Sequence, residues 1–205
     1  MSALTELYAQ IRDCHKCDIS RDRTNAVPGE GPENAEIMFI GEAPGFNEDK
    51  QGRPFVGQAG QFLDKLLASI NLDRKQVYIC NVIKTRPPDN RDPSPEEIQN
   101  CAPWLEKQLE IIKPKIIVTL GRFSMAKFFS GKTISKVHGT TVKKDGIIYF
   151  AMYHPAAALH QGNLRHVIEE DMKKIPMILA DINKPAEVKP QIKEPAPKQL
   201  NMFEV

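Results

Sequence analysis

The chain has 205 residues, 41% of them hydrophobic, and a formal net charge of +2. That suits one globular domain with a single core; no apolar run nears the ~18 residues of a membrane helix. The N-terminal MSALTELYAQIRDC carries Glu6 and no apolar centre, so it does not read as a signal peptide. The near-neutral charge excludes a uniformly basic nucleic-acid surface and leaves only local clustering of charge. A cytoplasmic monomer without membrane contact is the expectation.

Leu4, Leu7, Tyr8 and Ile11 recur at helical spacing and predict a short amphipathic helix. It ends at Cys14-His15-Lys16-Cys17, a CxxC; the other cysteines are Cys80 and Cys101. A disulfide framework is not expected in the cytoplasm. A CxxC is open to four readings: a redox pair, half a zinc site, half an iron–sulfur site, or coincidence. The thioredoxin-like reading needs the motif to open a helix after a strand, whereas here it closes one. A metal or cluster needs further thiolates, for which Cys101 is a candidate.

The stretch that organises the chain is 37–67. Ile37 to Ile40 is a continuous apolar run, as in a strand buried on both faces of a parallel sheet. It stops at Gly41, and GEAPG (41–45) allows a sharp turn and close backbone approach to a ligand. A polar loop leads to GRPFVG, centred on Phe55, and Gly57 to Ile70 reads as a helix. The stretch lacks GxGxxG and GxxxxGK[ST], so neither a dinucleotide fingerprint nor a P-loop is present.

Val77 to Val82 is the second predicted strand, with Asn81 near its end. The loop KTRPPDNRDPSP carries Lys84, Arg86 and Arg91 among prolines and reads as a semi-rigid, basic loop, open to two readings, solvated or phosphate-contacting. Ser94, Pro95 and Glu97 mark a helix start with a capping box, and the helix continues past Cys101. Lys115 to Leu120 is the third strand, and Arg122 to Phe129 a short helix. Asp145-Gly146 signals a hairpin. Ile147 to Tyr153 is the last strand, ending in His154-Pro155, and a helix is expected over roughly 164–182. Parallel strands would gather GEAPG, Asn81, Gly121 and His154 around one crevice at their carboxyl ends. An aromatic ring, an amide, backbone N–H groups and an imidazole there suit a planar heterocycle.

GEAPG, EDK-x-GRPFVG, VYICNVIK-x-RPP and YHPAAAL, in this order, resemble the family 4 uracil-DNA glycosylases, the thermostable iron–sulfur type. The match covers residues 1 to 182. It implies an α/β protein, a three-layer α/β/α sandwich on a four-stranded parallel sheet, that removes uracil from DNA. By resemblance Phe55 stacks on the extruded uracil and Asn81 reads its Watson–Crick edge. His154 contacts O2 as negative charge builds there. Gly41, Glu42 and Ala43 position the base and the attacking water, and Glu48 is a further pocket residue. Ala43 stands where the better-known uracil glycosylases carry a water-activating Asp, which shifts weight onto leaving-group stabilisation.

The resemblance also implies a [4Fe–4S] cluster with Cys14, Cys17 and Cys101 as ligands, but the fourth cysteine position holds Thr85. Cys80 lies five residues earlier, and strand alternation turns it to the other face. The alternative function is a non-catalytic iron–sulfur protein that binds uracil-DNA or DNA. Residues 1–183 form the expected glycosylase domain. Residues 184–205 read as a disordered tail that ends in QLNMF. That peptide resembles the sliding-clamp peptide QLxLF, with Gln199, Leu200, Met202 and Phe203 as contacts.

Overall fold

The computed structural model describes residues 2–184. Five strands form one sheet: β1 (Ile37–Gly41), β2 (Tyr78–Asn81), β3 (Ile116–Leu120), β4 (Thr141–Lys144) and β5 (Ile147–Met152), in the order β2-β1-β3-β5-β4. The first three and β5 are parallel, as the resemblance implies. The fifth strand, β4, is added antiparallel at one edge by the Asp145-Gly146 turn, so the sheet is mixed. Every residue of β1, β2 and β3 is buried, because helices cover both faces of a parallel sheet.

Period-two alternation splits the core. Met38, Ile40, Tyr78, Cys80 and Ile117 face a layer containing α1 (Ala3–Arg12) and α4 (Pro95–Ile112). Ile37, Phe39, Ile79, Val118 and Leu120 face the opposite layer, built from α3 (Gln58–Ser69), α8 (Asn163–Met172) and α9 (Ile175–Asn183). The expected α/β/α sandwich is therefore present. Among the described residues no helix is long and apolar enough to cross a membrane.

The Ser94 hydroxyl accepts from Glu97 N and the Glu97 carboxylate from Ser94 N, the capping box expected for α4. Other boundaries differ. Residues 46–51, read as loop, form α2 (Phe46–Gln51), a short turn of helix stopped by Gly52 at φ +66°. The single helix expected over 164–182 is two, because Pro176 has no N–H to continue α8 and instead opens α9. The helix expected over 122–129 is α5 (Arg122–Ala126). Beyond it lie α6 (Ile134–Val137) and α7 (Ala157–His160).

Candidate active site

At the carboxyl ends of β1 and β2 lies a pocket of about 410 Å³, walled by Glu42, Ala43, Glu48, Phe55, Asn81 and His154. The crevice predicted from parallel strand ends is thus formed around Glu42, Ala43, Asn81 and His154, while Gly41 and Gly121 do not line it but pack against Asn81 and His154. A Cβ on Gly41 would lie 2.4 Å from Asn81 Oδ1 and 2.7 Å from Phe55 Cζ. The bare glycine lets the amide and the ring approach the backbone of β1, a packing role beside the ligand approach expected of it.

Phe55 sits at φ +52°, a left-handed conformation that costs a non-glycine residue energy and persists only where its surroundings impose it. Those surroundings are specific. Glu48 Oε1 accepts from Val56 N and Gly57 N, both at 2.8 Å, while Oε2 accepts from Gly45 N at 3.1 Å. One carboxylate therefore ties the GEAPG turn to the GRPFVG loop. From behind, the Arg74 guanidinium donates to Phe55 O at 3.0 Å and to Pro54 O, and pairs with Asp64. Gly60 completes the fit, since a Cβ there would overlap Phe55 O. The ring so held stacks on His154, centroids 5.5 Å apart at 29°.

His154 is in a single tautomer. Its Nδ1 accepts from Ala156 N at 3.1 Å, so the ring proton sits on Nε2. Burial pulls its pKa down to about 4, only partly opposed by the Glu48 charge, so the imidazole is a neutral donor near pH 7. Glu42 shifts the other way: burial, then the Asp92 charge, pushes its carboxyl up, with Arg122 opposing. Asn81 is 2% exposed, and its Oδ1 is buried with no hydrogen-bond donor among the described residues. A buried carbonyl without a donor costs about 1–3 kcal/mol. In a pocket wall it is an acceptor kept for a ligand's N–H.

The basic loop behaves in part as expected. Pro87, Asn90 and Arg91 reach the pocket mouth, and Arg86 donates to Asn90 Oδ1 at 2.7 Å. Arg91 forms a bidentate pair with Glu97. Lys84 is a correction, because it is 2% exposed and turned into the protein rather than toward solvent. Two features had no sequence signal: the Arg74 clamp, from an unremarkable polar stretch, and Leu159, 47% exposed beside the pocket-lining His160.

The cysteines divide into a group and a singleton. Cys14, Cys17 and Cys101 lie within electrostatic reach of one another, and burial followed by the neighbouring thiols raises Cys17 to about 11. Burial also raises Cys101, opposed by the adjacent Lys84 peptide N–H and ammonium. Thr85 is at this place too: Arg23, whose charge acts on Cys17 and Cys101, donates to Thr85 Oγ1 at 3.1 Å. Three thiols are therefore electrostatic neighbours, with the Thr85 hydroxyl linked to them through Arg23. Among the described residues no group of three or more His, Cys, Asp or Glu side chains is arranged to hold a metal. Cys80 packs in the same layer as the other three, against the expectation of the opposite face. Alternation ends with β2 at Asn81, so it cannot be counted on to residue 85. Of the charged neighbours, Cys80 meets only Lys84.

Comparison with known proteins decides the family. The family model described as "Uracil DNA glycosylase superfamily" matches residues 28–174. This chain belongs to the uracil DNA glycosylase superfamily. A type-4 uracil-DNA glycosylase of Sulfurisphaera tokodaii is 52% identical over 185 residues, covering 85% of this chain and 84% of that protein. The type-4 enzyme of Archaeoglobus fulgidus is 49% identical, covering 85% and 92%. That of Thermotoga maritima is 43% identical, covering 83% and 92%. The matched span of this superfamily member includes every pocket residue described above, from Glu42 to His160.

Proposed function

We propose that this protein is a DNA-repair glycosylase that excises uracil from DNA and leaves an abasic site. The observation that carries the reading is the unpartnered, buried Asn81 Oδ1 in the wall of a pocket that also holds a fixed ring and a neutral imidazole donor. Uracil offers an N3–H donor and carbonyl acceptors on a planar ring. Its nucleotide must leave the base stack to reach such a pocket. Phe55 then stacks on the ring, the Asn81 amide takes N3–H and O4, and His154 Nε2–H points at O2.

The reaction is heterolysis of the C1′–N1 bond. The bonding pair moves onto uracil and collects at N1 and O2, and water adds to the cationic C1′. A preformed donor at O2 stabilises that charge without reorganising, which is where such donors act most strongly. A neutral imidazole serves here as a hydrogen-bond donor and does not need to give up its proton. Ala43 offers no carboxylate, and Glu48 is taken up by three backbone N–H groups, so Glu42 is the pocket carboxylate that can orient the water and take its proton. The test is a single-stranded oligonucleotide carrying one uracil. Release of free uracil with an abasic site supports the reading, and unchanged DNA overturns it.

Cys14, Cys17 and Cys101 are the residues that would hold a [4Fe–4S] cluster, with Thr85 at the fourth corner. When bound, the cluster supplies a cross-link between the segment after α1 and helix α4. What supports this is that the three thiols are electrostatic neighbours and that Arg23, whose charge acts on Cys17 and Cys101, also holds Thr85. The enzyme acts as a monomer in the cytoplasm. The clamp-binding reading of Gln199, Leu200, Met202 and Phe203 lies outside the described residues and stands as a proposal from the peptide pattern alone.

A further inference from the structure

Strand β2 lies at the edge of the sheet, so its outer backbone groups have no strand neighbour. Ile79 solves this through Glu30, exchanging hydrogen bonds of 2.8 and 2.9 Å across an isolated antiparallel bridge. Two residues on, Asn81 presents its backbone to the same side, by the period of a strand. Among the described residues no strand pairs with it there. The chain has meanwhile turned: Val82 N and Ile83 N donate to Gly41 O and Glu42 O, and Lys84 O accepts from Val27 N. The turn brings the Lys84 side chain back along the edge, where Nζ donates to Asn81 O at 2.6 Å.

The ammonium is anchored from the other side. Nζ also donates to Gln108 Oε1 of α4 at 2.7 Å. Gln108 Nε2 in turn donates to Pro28 O and to Tyr78 Oη, both at 2.8 Å, and Tyr8 Oη donates to Tyr78 Oη at 2.9 Å. Lys84 and Gln108 are buried, at 2% and 0% exposed. Taking a lysine head out of water is expensive, and an apolar side chain would fill the space between α4 and the sheet at no such cost. The recipient of this buried donor is the carbonyl of the one residue whose side-chain oxygen is left without a partner in the pocket wall.

We propose that Lys84 is a positioning residue for base recognition: its ammonium stands in for the missing strand at the sheet edge and fixes the Asn81 peptide. It acts only through Asn81 and touches neither the base nor the sugar. Asn81 is then held on both sides, by β1 through its pairing with Gly41 and by Lys84 on the open edge. The amide is thereby aimed into the pocket with little freedom. The proposal rests on the uracil-excision reading and deepens it.

A double-mutant cycle on the full chain tests it, with single-turnover release of uracil from a single-stranded oligonucleotide as readout. Lys84→Met is expected to lower kcat/KM by about 10²-fold, the scale of a catalytic group displaced by an ångström. In the Asn81→Ala background the same change should add less than about 2-fold, because there is no amide left to position. Inhibition by free uracil should weaken in Lys84→Met and be absent with or without it in Asn81→Ala. A folded Lys84→Met with wild-type constants overturns the proposal, as does a loss that multiplies fully with that of Asn81→Ala. Should Lys84→Met not fold, Lys84→Gln, too short to keep both contacts, is judged by the same criteria. A wild-type protein that releases no uracil overturns the excision reading itself, a result distinct from either outcome of the cycle.

Discussion

His154 and Asn81 share one wall, yet burial acts on them differently. Removing either side chain should cut excision by about 10²–10³-fold, the usual value of one preorganised donor at a developing oxyanion. Single-turnover rates of Asn81→Ala and His154→Ala check this, with circular dichroism to show that the fold persists. His154 also predicts a pH dependence of stability. Folded, it stays neutral down to about pH 4; unfolded, it takes its proton near 6.5. Between those values the unfolded chain binds more protons, so stability falls as pH drops from about 6.5 toward about 4. Above pH 7 the contribution is intact. Its upper limit is about 3 kcal/mol, less where water enters the pocket mouth. Melting temperatures measured across pH 4.5–7.5 should slope in the wild type and flatten in His154→Gln. An equal slope in both would show that another group is responsible.

Between the elements, the join that matters is the Glu48 carboxylate. It receives three backbone N–H groups from two loops, and bonds to a charged acceptor are worth about 1.5–3 kcal/mol each. Glu48→Gln turns one acceptor into a donor and sets it against a backbone N–H. Excision should fall at least ~10-fold, and hydrogen exchange at Gly45, Val56 and Gly57 should quicken while the β-sheet amides stay protected. Unchanged exchange at those three amides would remove Glu48 from the loop-fixing role. Much of this scale could be read in advance. The apolar runs at 37–40 and 115–120, the Ser94–Glu97 box and the Asp145-Gly146 turn each obey a local rule, so strands, helix start and hairpin were legible. The Arg74 clamp was not, because its partners are backbone carbonyls 19 and 20 residues away. Nor was the burial of Lys84, since a lysine among prolines normally faces water. The α8–α9 break hung on Pro176, overlooked inside an otherwise periodic run.

For the molecule as a whole, a cluster on Cys14, Cys17 and Cys101 would join the segment after α1 to α4. Purified without air, the protein should be brown and contain iron and sulfide in near-equal amounts. Cys101→Ala should bleach it and lower its melting temperature, while Cys80→Ala should keep its colour. Bleaching in the Cys80 variant alone would move the ligand set to that thiol. At the other end, deleting residues 198–205 should leave excision on short oligonucleotides unchanged and abolish clamp binding. Equal clamp affinity of the full and shortened chains in fluorescence anisotropy would exclude the peptide. The lone Asn81 carbonyl has a consequence for how this fold could change over time. In the ligand-free protein it is a built-in frustration that a bound base relieves. Replacement by a side chain with no polar atom would remove that frustration, so selection for heat resistance alone would drive position 81 away from Asn. Asn at position 81 therefore serves recognition at the expense of stability, and a variant of this chain selected for heat resistance through an apolar residue there should have lost uracil excision.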